Sequence, residues 1–81
     1  METTKWAQTK EGIKIGDTVT YWSDIHPCAE LTGIVEYDYK FNALIIENTG
    51  ESKKICEDYG VASCIELTEI EPESIIKVVR G

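Results

Sequence analysis

Three cysteines, one histidine and many carboxylates are the side chains of this 81-residue chain whose chemistry reaches beyond packing. Asp24, His26 and Cys28 stand at alternate positions, so on an extended loop all three would point the same way. A cysteine nucleophile needs its thiol within hydrogen-bond reach of a base, and a third group to orient that base. The triplet meets that requirement in outline. The chain carries no P-loop, no Gly-rich phosphate cradle and no metal-hydrolase motif. A domain this small seldom closes a pocket around a substrate, so the expected protein is not an enzyme, with no catalytic residue and no cofactor. His26, Cys28, Cys56 and Cys64 are also a formal set of four zinc ligands. Tetrahedral zinc sites usually draw on two close-spaced pairs. Here there is no C-x-x-C, and Cys56 and Cys64 would have to meet across a hairpin. The alternative is three small, half-buried thiols.

An odd number of cysteines excludes complete pairing within one chain. Met1-Glu2-Thr3-Thr4-Lys5 has no apolar stretch of the kind that secretory signals carry. A reducing, cytoplasmic setting is expected. No apolar run approaches the ~20 residues of a membrane span, so no membrane partner is expected.

The net charge is −7, from fifteen acids and eight bases. Proteins that bind nucleic acid neutralise phosphates with clustered Lys and Arg. The only adjacent basic pair here is Lys53-Lys54. Glu57, Asp58, Glu66, Glu69, Glu71 and Glu73 follow one another with no base between them. Such a face repels a phosphate backbone, so direct nucleic-acid binding is not expected. It suits a solvated surface, a basic partner, or mimicry of nucleic-acid charge.

The elements that must position these groups read mostly as short strands. Residues 1–12 are polar apart from Met1, Trp6 and Ala7, and are expected to form a flexible arm ahead of a single domain over 13–81. Ile13, Ile15, Val19 and Tyr21 share a parity, interrupted by Gly16-Asp17, and a strand is expected at 19–22. Residues 23–30 have no periodicity and read as a surface loop. Leu31, Gly33, Val35, Tyr37 and Tyr39 alternate with polar neighbours, with Ile34 out of phase, as at a bulge or where both faces are partly covered. A turn near 40–42, a strand at 43–47, a turn at 48–51 and a short strand at 53–57 around Ile55 follow. Asp58-Tyr59-Gly60 reads as another turn, and 61–68 alternate again. Pro72-Glu73-Ser74 reads as one 3₁₀ turn with Pro at its start. Residues 76–80 fit strand or helical spacing, and their β-branched content favours the strand.

Five or six short strands with tight turns suggest a small antiparallel barrel, a closed form in which so short a chain hides its edges. Lys14-Ile15-Gly16-Asp17-Thr18-Val19 resembles the Gly-Asp approach to the first core strand of SH3-like barrels. Gly33-Ile34-Val35 is similar to the start of their second strand. Residues 72–79 resemble the 3₁₀ turn and closing strand that end the SH3 fold. The resemblance covers about residues 13–80 and bears on fold rather than function. Tyr37-Asp38-Tyr39 has the letters of the proline-binding SH3 motif but lies mid-chain, ahead of a strand. Glu57-Asp58-Tyr59-Gly60 resembles the Asp-Tyr-Gly turn of Tudor domains. That resemblance implies a cage for a methylated cation, walled by Tyr37, Tyr39, Phe41 and Tyr59 with Asp38 or Asp58 as its charge. The same rings could instead fill the core or staple strands.

The expected protein is a small acidic interaction module of the accessory or regulatory kind found in phages and mobile elements. Its partner is expected to be another protein. The expected binding surface is the 23–30 loop with Trp22, His26, Tyr39, Phe41 and Tyr59. Trp22 lies on the polar parity of its strand, and exposed aromatics mark interfaces. Acidic mimicry by the 57–73 face and a small zinc domain are the alternatives. A homodimer seamed along an exposed closing strand at 76–79 is a further expectation.

Overall fold

The longest run of alternating residues becomes the longest strand. In the computed structural model, which describes residues 2–3, 12–23 and 29–81, this strand is β3, Ala29–Asp38. It buries Leu31, Gly33 and Val35 and turns Glu30, Ile34 and Glu36 outward. On one side it pairs with β2, Thr18–Ser23, and on the other with β4, Ala43–Asn48, antiparallel in both cases. The pairing passes Ile34 without any shift of register, so no bulge is needed to explain it. Ile34 is simply an exposed residue of the outer face.

The remaining strands are β1, Glu2–Thr3, β5, Cys64–Glu66, and β6, Ile75–Val79. All belong to one antiparallel sheet in the order β1-β6-β2-β3-β4-β5. The protein is therefore mainly β, but among the described residues the sheet ends in β1 and β5 and is not closed into a barrel. The edge problem that suggested closure is met by brevity instead: the end strands are two and three residues long. Two 3₁₀ turns, Leu67–Glu69 and Pro72–Ser74, connect β5 to β6. The second has Pro72 at its start, as expected, and the Ser74 N–H donates to the Glu71 carbonyl at 2.8 Å.

β6 is a strand with one residue too many. Tyr21 pairs with Ile75 and Thr20 with Lys77, so Ile76 bulges out of the ladder. Its two buried side chains, Ile75 and Val78, are consequently three apart, a spacing that mimics a helix in the sequence. The dimer seam expected along this strand meets a different arrangement. β6 is an inner strand, bonded to β2 on one side and to β1 at Val78 and Val79 on the other. Glu2–Thr3, read as part of a flexible arm, forms that outer strand. The rest of residues 1–11, Trp6 included, lies outside the described residues.

The strand expected at 53–57 is a helix, α1, Gly50–Asp58. Over these nine residues only Ile55 and Cys56 are apolar, too few to show a period. The helix lacks a side-chain cap at Thr49, and Glu57 and Asp58 sit at the end where the helix dipole disfavours acids. Tertiary bonds hold it. Where β4 ends, Thr32 of β3 would lose its partners. Instead its N–H donates to the Ser52 hydroxyl at 2.8 Å and its carbonyl accepts from the Thr49 N–H at 3.1 Å. Ser52 of the helix thus continues the work of the sheet. At the other end, Val61 N–H bonds the Cys56 carbonyl and Gly60 N–H the Glu57 carbonyl, with Gly60 at φ +69°. This is a Schellman stop, so Asp58-Tyr59-Gly60 closes a helix rather than a hairpin.

The core lies against the inner face of the sheet. Val19, Tyr21, Leu31, Val35, Ile46, Ile75 and Val78 come from four strands, Cys56 from α1, and Leu67 and Ile70 from the connection after β5. Each fully buried aliphatic side chain contributes roughly 1.5–3 kcal/mol. Gly33 marks where β3 and β4 press closest: a Cβ there would sit 2.5 Å from the Glu47 carbonyl oxygen and 2.6 Å from Ile46 Cγ2.

Candidate functional site

Trp22 falls on the outward parity of β2, after Thr18 and Thr20, and remains 46% exposed. It forms one wall of a surface groove of about 340 Å³. Ile65 of β5 and Ile70 supply apolar lining, and Glu69, Glu71 and Ser74 come from the two 3₁₀ turns and the link between them. Glu69 and Glu71 are exposed. Among the described residues, neither has a salt-bridge partner.

The other expected aromatics stand elsewhere. Trp22 pairs with Glu30 near the start of β3, whereas Tyr39 and Phe41 lie in the turn beyond its far end. Nine positions of chain separate Glu30 from Tyr39, on the order of 30 Å of strand contour. Neither Tyr39 nor Phe41 lines the groove beside Trp22. His26 lies outside the described residues, as do Asp24, Pro27 and Cys28, which form most of the expected loop. Ala29 and Glu30, assigned to that loop from the sequence, belong to β3.

The cage residues are partly assembled. Tyr37 and Tyr39 meet edge to face, with ring centroids 4.8 Å apart and planes at 73°. Tyr39 is 88% exposed. Asp38, offered as a cage charge, instead organises the turn: its Oδ1 accepts from the Lys40 N–H at 2.8 Å and the Phe41 N–H at 3.3 Å. The Tyr37 hydroxyl donates to Asn42 Oδ1, and Asn42 adopts φ +52°, which Asn tolerates. Tyr59 is the C-cap residue of α1, on a separate element. The described geometry thus makes a stapled turn from Tyr37, Asp38 and Asn42.

The six acids also divide. Glu57 and Asp58 end α1, while Glu66, Glu69, Glu71 and Glu73 line up along β5 and the two 3₁₀ turns.

The two described cysteines share a cavity of about 260 Å³ with Tyr21, Leu31, Asn48 and Val61. Sequence reasoning missed its polar spine. Asn48 is almost wholly buried; its Oδ1 accepts from the Tyr21 hydroxyl at 3.0 Å, and its Nδ2 lies 3.6 Å from Cys56 Sγ. Only the position of Asn48 at the end of a strand of apolar residues could have drawn attention to it. Burial raises the pKa of the Cys56 thiol, outweighing the Asn48 bond, and Glu47 and Glu57 push it the same way. Burial, with Glu47 and Asp38, does likewise for Cys64. Both therefore stay protonated at neutral pH and make weak nucleophiles. Among the described residues no three His, Cys, Asp or Glu side chains gather as metal ligands. Two of the four expected zinc ligands, His26 and Cys28, lie beyond those residues.

A further carboxylate has a quite different setting. Asp17, in the Gly-Asp pair before β2, is 4% exposed. Its carboxylate accepts from the Lys14 N–H at 2.9 Å, the Gly81 N–H at 3.2 Å and the Arg80 guanidinium at 2.5 Å. Arg80 also donates to the Gly12 carbonyl. Gly16, at φ +95°, allows the turn that delivers Asp17 inward. Burial alone would raise the Asp17 pKa; the bonds from Lys14, Gly81 and Arg80, with the charge of Arg80, overcome it and hold the group below its ordinary value.

No helix among the described residues is long and apolar enough to cross a membrane. Compared with family models, curated proteins and solved structures, the chain has no significant match.

Proposed function

We propose that this chain is a small, non-enzymatic, cytoplasmic protein-interaction module whose contact surface is the Trp22 groove. One observation carries this reading: a large aromatic ring on the outer face of a strand, left 46% exposed beside a groove with Ile65 and Ile70 in its lining. A tryptophan in such a position contributes little to the core and much to an interface. The chain would then serve an accessory or regulatory role.

An SH3-like arrangement is part of the same proposal. It is supported by the run β6-β2-β3-β4-β5 within the sheet and by the 3₁₀ turn directly before the last strand. The helix between β4 and β5 would be an insertion in that plan.

The test is capture of partners from the source organism, with and without nuclease, using wild type and Trp22→Ala. A protein partner that survives nuclease and is lost from the variant, while the variant melts like wild type, supports the module. If Trp22→Ala binds as wild type does, the groove is not the contact surface. Acidic mimicry is the second reading, favoured by Glu66, Glu69, Glu71 and Glu73 following one another without a base. Binding of that kind weakens steeply as salt rises and does not depend on Trp22.

A further inference from the structure

Resting on the interaction-module reading, we propose that the Trp22 groove receives a basic, extended segment of a partner protein. One Lys or Arg side chain of that segment lies against the indole, with its charge toward Glu69 and Glu71.

Three features of the groove select this class of ligand. Its aromatic wall is a tryptophan, the side chain that attracts a cation most strongly through its ring face. Its rim holds two exposed carboxylates with no salt-bridge partner among the described residues. The chain offers no Lys or Arg of its own between Lys54 and Lys77, so nothing in this stretch of sequence neutralises them. A third feature separates a peptide from a small free cation. Half-buried Ile65 lines the same groove beside the exposed indole, and a lone cation would leave this apolar surface uncovered. Lys and Arg have apolar stems that lie along such surface while the charged head stays in water. At about 340 Å³ the groove falls near the lower end of the roughly 300–1,000 Å³ of ligand pockets, room for an anchor side chain and part of its neighbour. Phosphate-bearing ligands meet the wrong charge here.

The experiment uses the full chain and a synthetic nonapeptide with a central Arg flanked by Leu, followed by amide chemical shifts and calorimetry. A second peptide carries citrulline, the neutral analogue of Arg, at the same place. The Arg peptide is expected to shift Trp22, Ile70 and Ser74 and to bind more weakly as salt rises. The citrulline peptide, the double variant Glu69→Gln/Glu71→Gln and Trp22→Ala should each weaken binding by about tenfold or more. Trp22→Phe keeps a ring and should retain part of the affinity, which covers the case in which the alanine variant folds poorly. Equal binding of the Arg and citrulline peptides, an indifferent Gln double variant, or no binding at millimolar peptide each overturns the inference. Its failure is separable from failure of the module. A natural partner lost with Trp22→Ala but kept by Glu69→Gln/Glu71→Gln removes the basic segment and leaves the module standing.

Discussion

Asp17 and the Glu69–Glu71 pair are acids of similar intrinsic chemistry in opposite circumstances. Asp17 is buried and receives three sets of donors: two backbone N–H groups, from Lys14 and Gly81, and a guanidinium. Glu69 and Glu71 are exposed at a groove and have no salt-bridge partner among the described residues. A carboxylate whose acceptor sites are filled ties chain segments together. One whose sites are open to solvent adds little to folding and remains available to a ligand. Which of the two an acid becomes depends on what surrounds it, and the overall charge of −7 does not distinguish them.

The contrast breaks most visibly at Asp17. Asp17→Ala takes the carboxylate from Arg80, leaves the Lys14 and Gly81 N–H groups without their acceptor, and is expected to lose about 3–5 kcal/mol in urea unfolding. A loss below about 1 kcal/mol, the scale of an exposed ion pair, would place Asp17 with Glu69 and Glu71 after all. Ser52→Ala should come next. It orphans the Thr32 N–H at the joint of sheet and helix and should cost about 1–3 kcal/mol. Amide exchange would locate the loosening at Thr32 and the first turn of α1.

Acid sharpens the contrast. The Asp17 pKa is lower folded than unfolded, so its contribution is complete above the ordinary Asp value of 3.8 and disappears as pH falls through the depressed folded value. Stability should decline through that window in wild type, and Asp17→Asn should flatten the decline. An unchanged acid limb in that variant would show that other carboxylates set it. The smallest expected effect is at the groove. Glu69→Gln/Glu71→Gln should alter stability by no more than about 0.5 kcal/mol. A larger loss would mean that these acids hold the fold, contrary to their exposed position.

Much of the sheet was legible because its strands are half-buried and alternate with a period of two. β2, β3 and β4 appear within a residue or two of their expected bounds, apart from the first two residues of β3, and Pro72-Glu73-Ser74 forms its 3₁₀ turn. What the sequence concealed was decided by tertiary bonds. α1 depends on Ser52 and Thr49 meeting Thr32, residues far away in the chain, and its one local signal was Gly60 in the role of a helix stop. Barrel closure was inferred from the need to hide edges, which short end strands also satisfy. At the candidate site, the outward position of Trp22 could be read from parity alone. Its company could not. Tyr39 and Phe41 looked like neighbours by type, yet they lie in the turn beyond the far end of β3 and do not line the groove, which is completed by residues 65–74, read from the sequence only as strand, turn and charge.

The bulge at Ile76 has a consequence for length rather than for shape. Tyr21 pairs with Ile75 and Thr20 with Lys77, so Ile76 stands outside the ladder's count. A chain lacking it could keep every one of those partners and gain a regular strand. Sheet proteins are ordinarily intolerant of insertions and deletions within a strand, because a slip of one residue sends every later side chain to the wrong face. Here a position within a strand has the freedom of a loop, and related sequences one residue shorter at this point would be compatible with the same core.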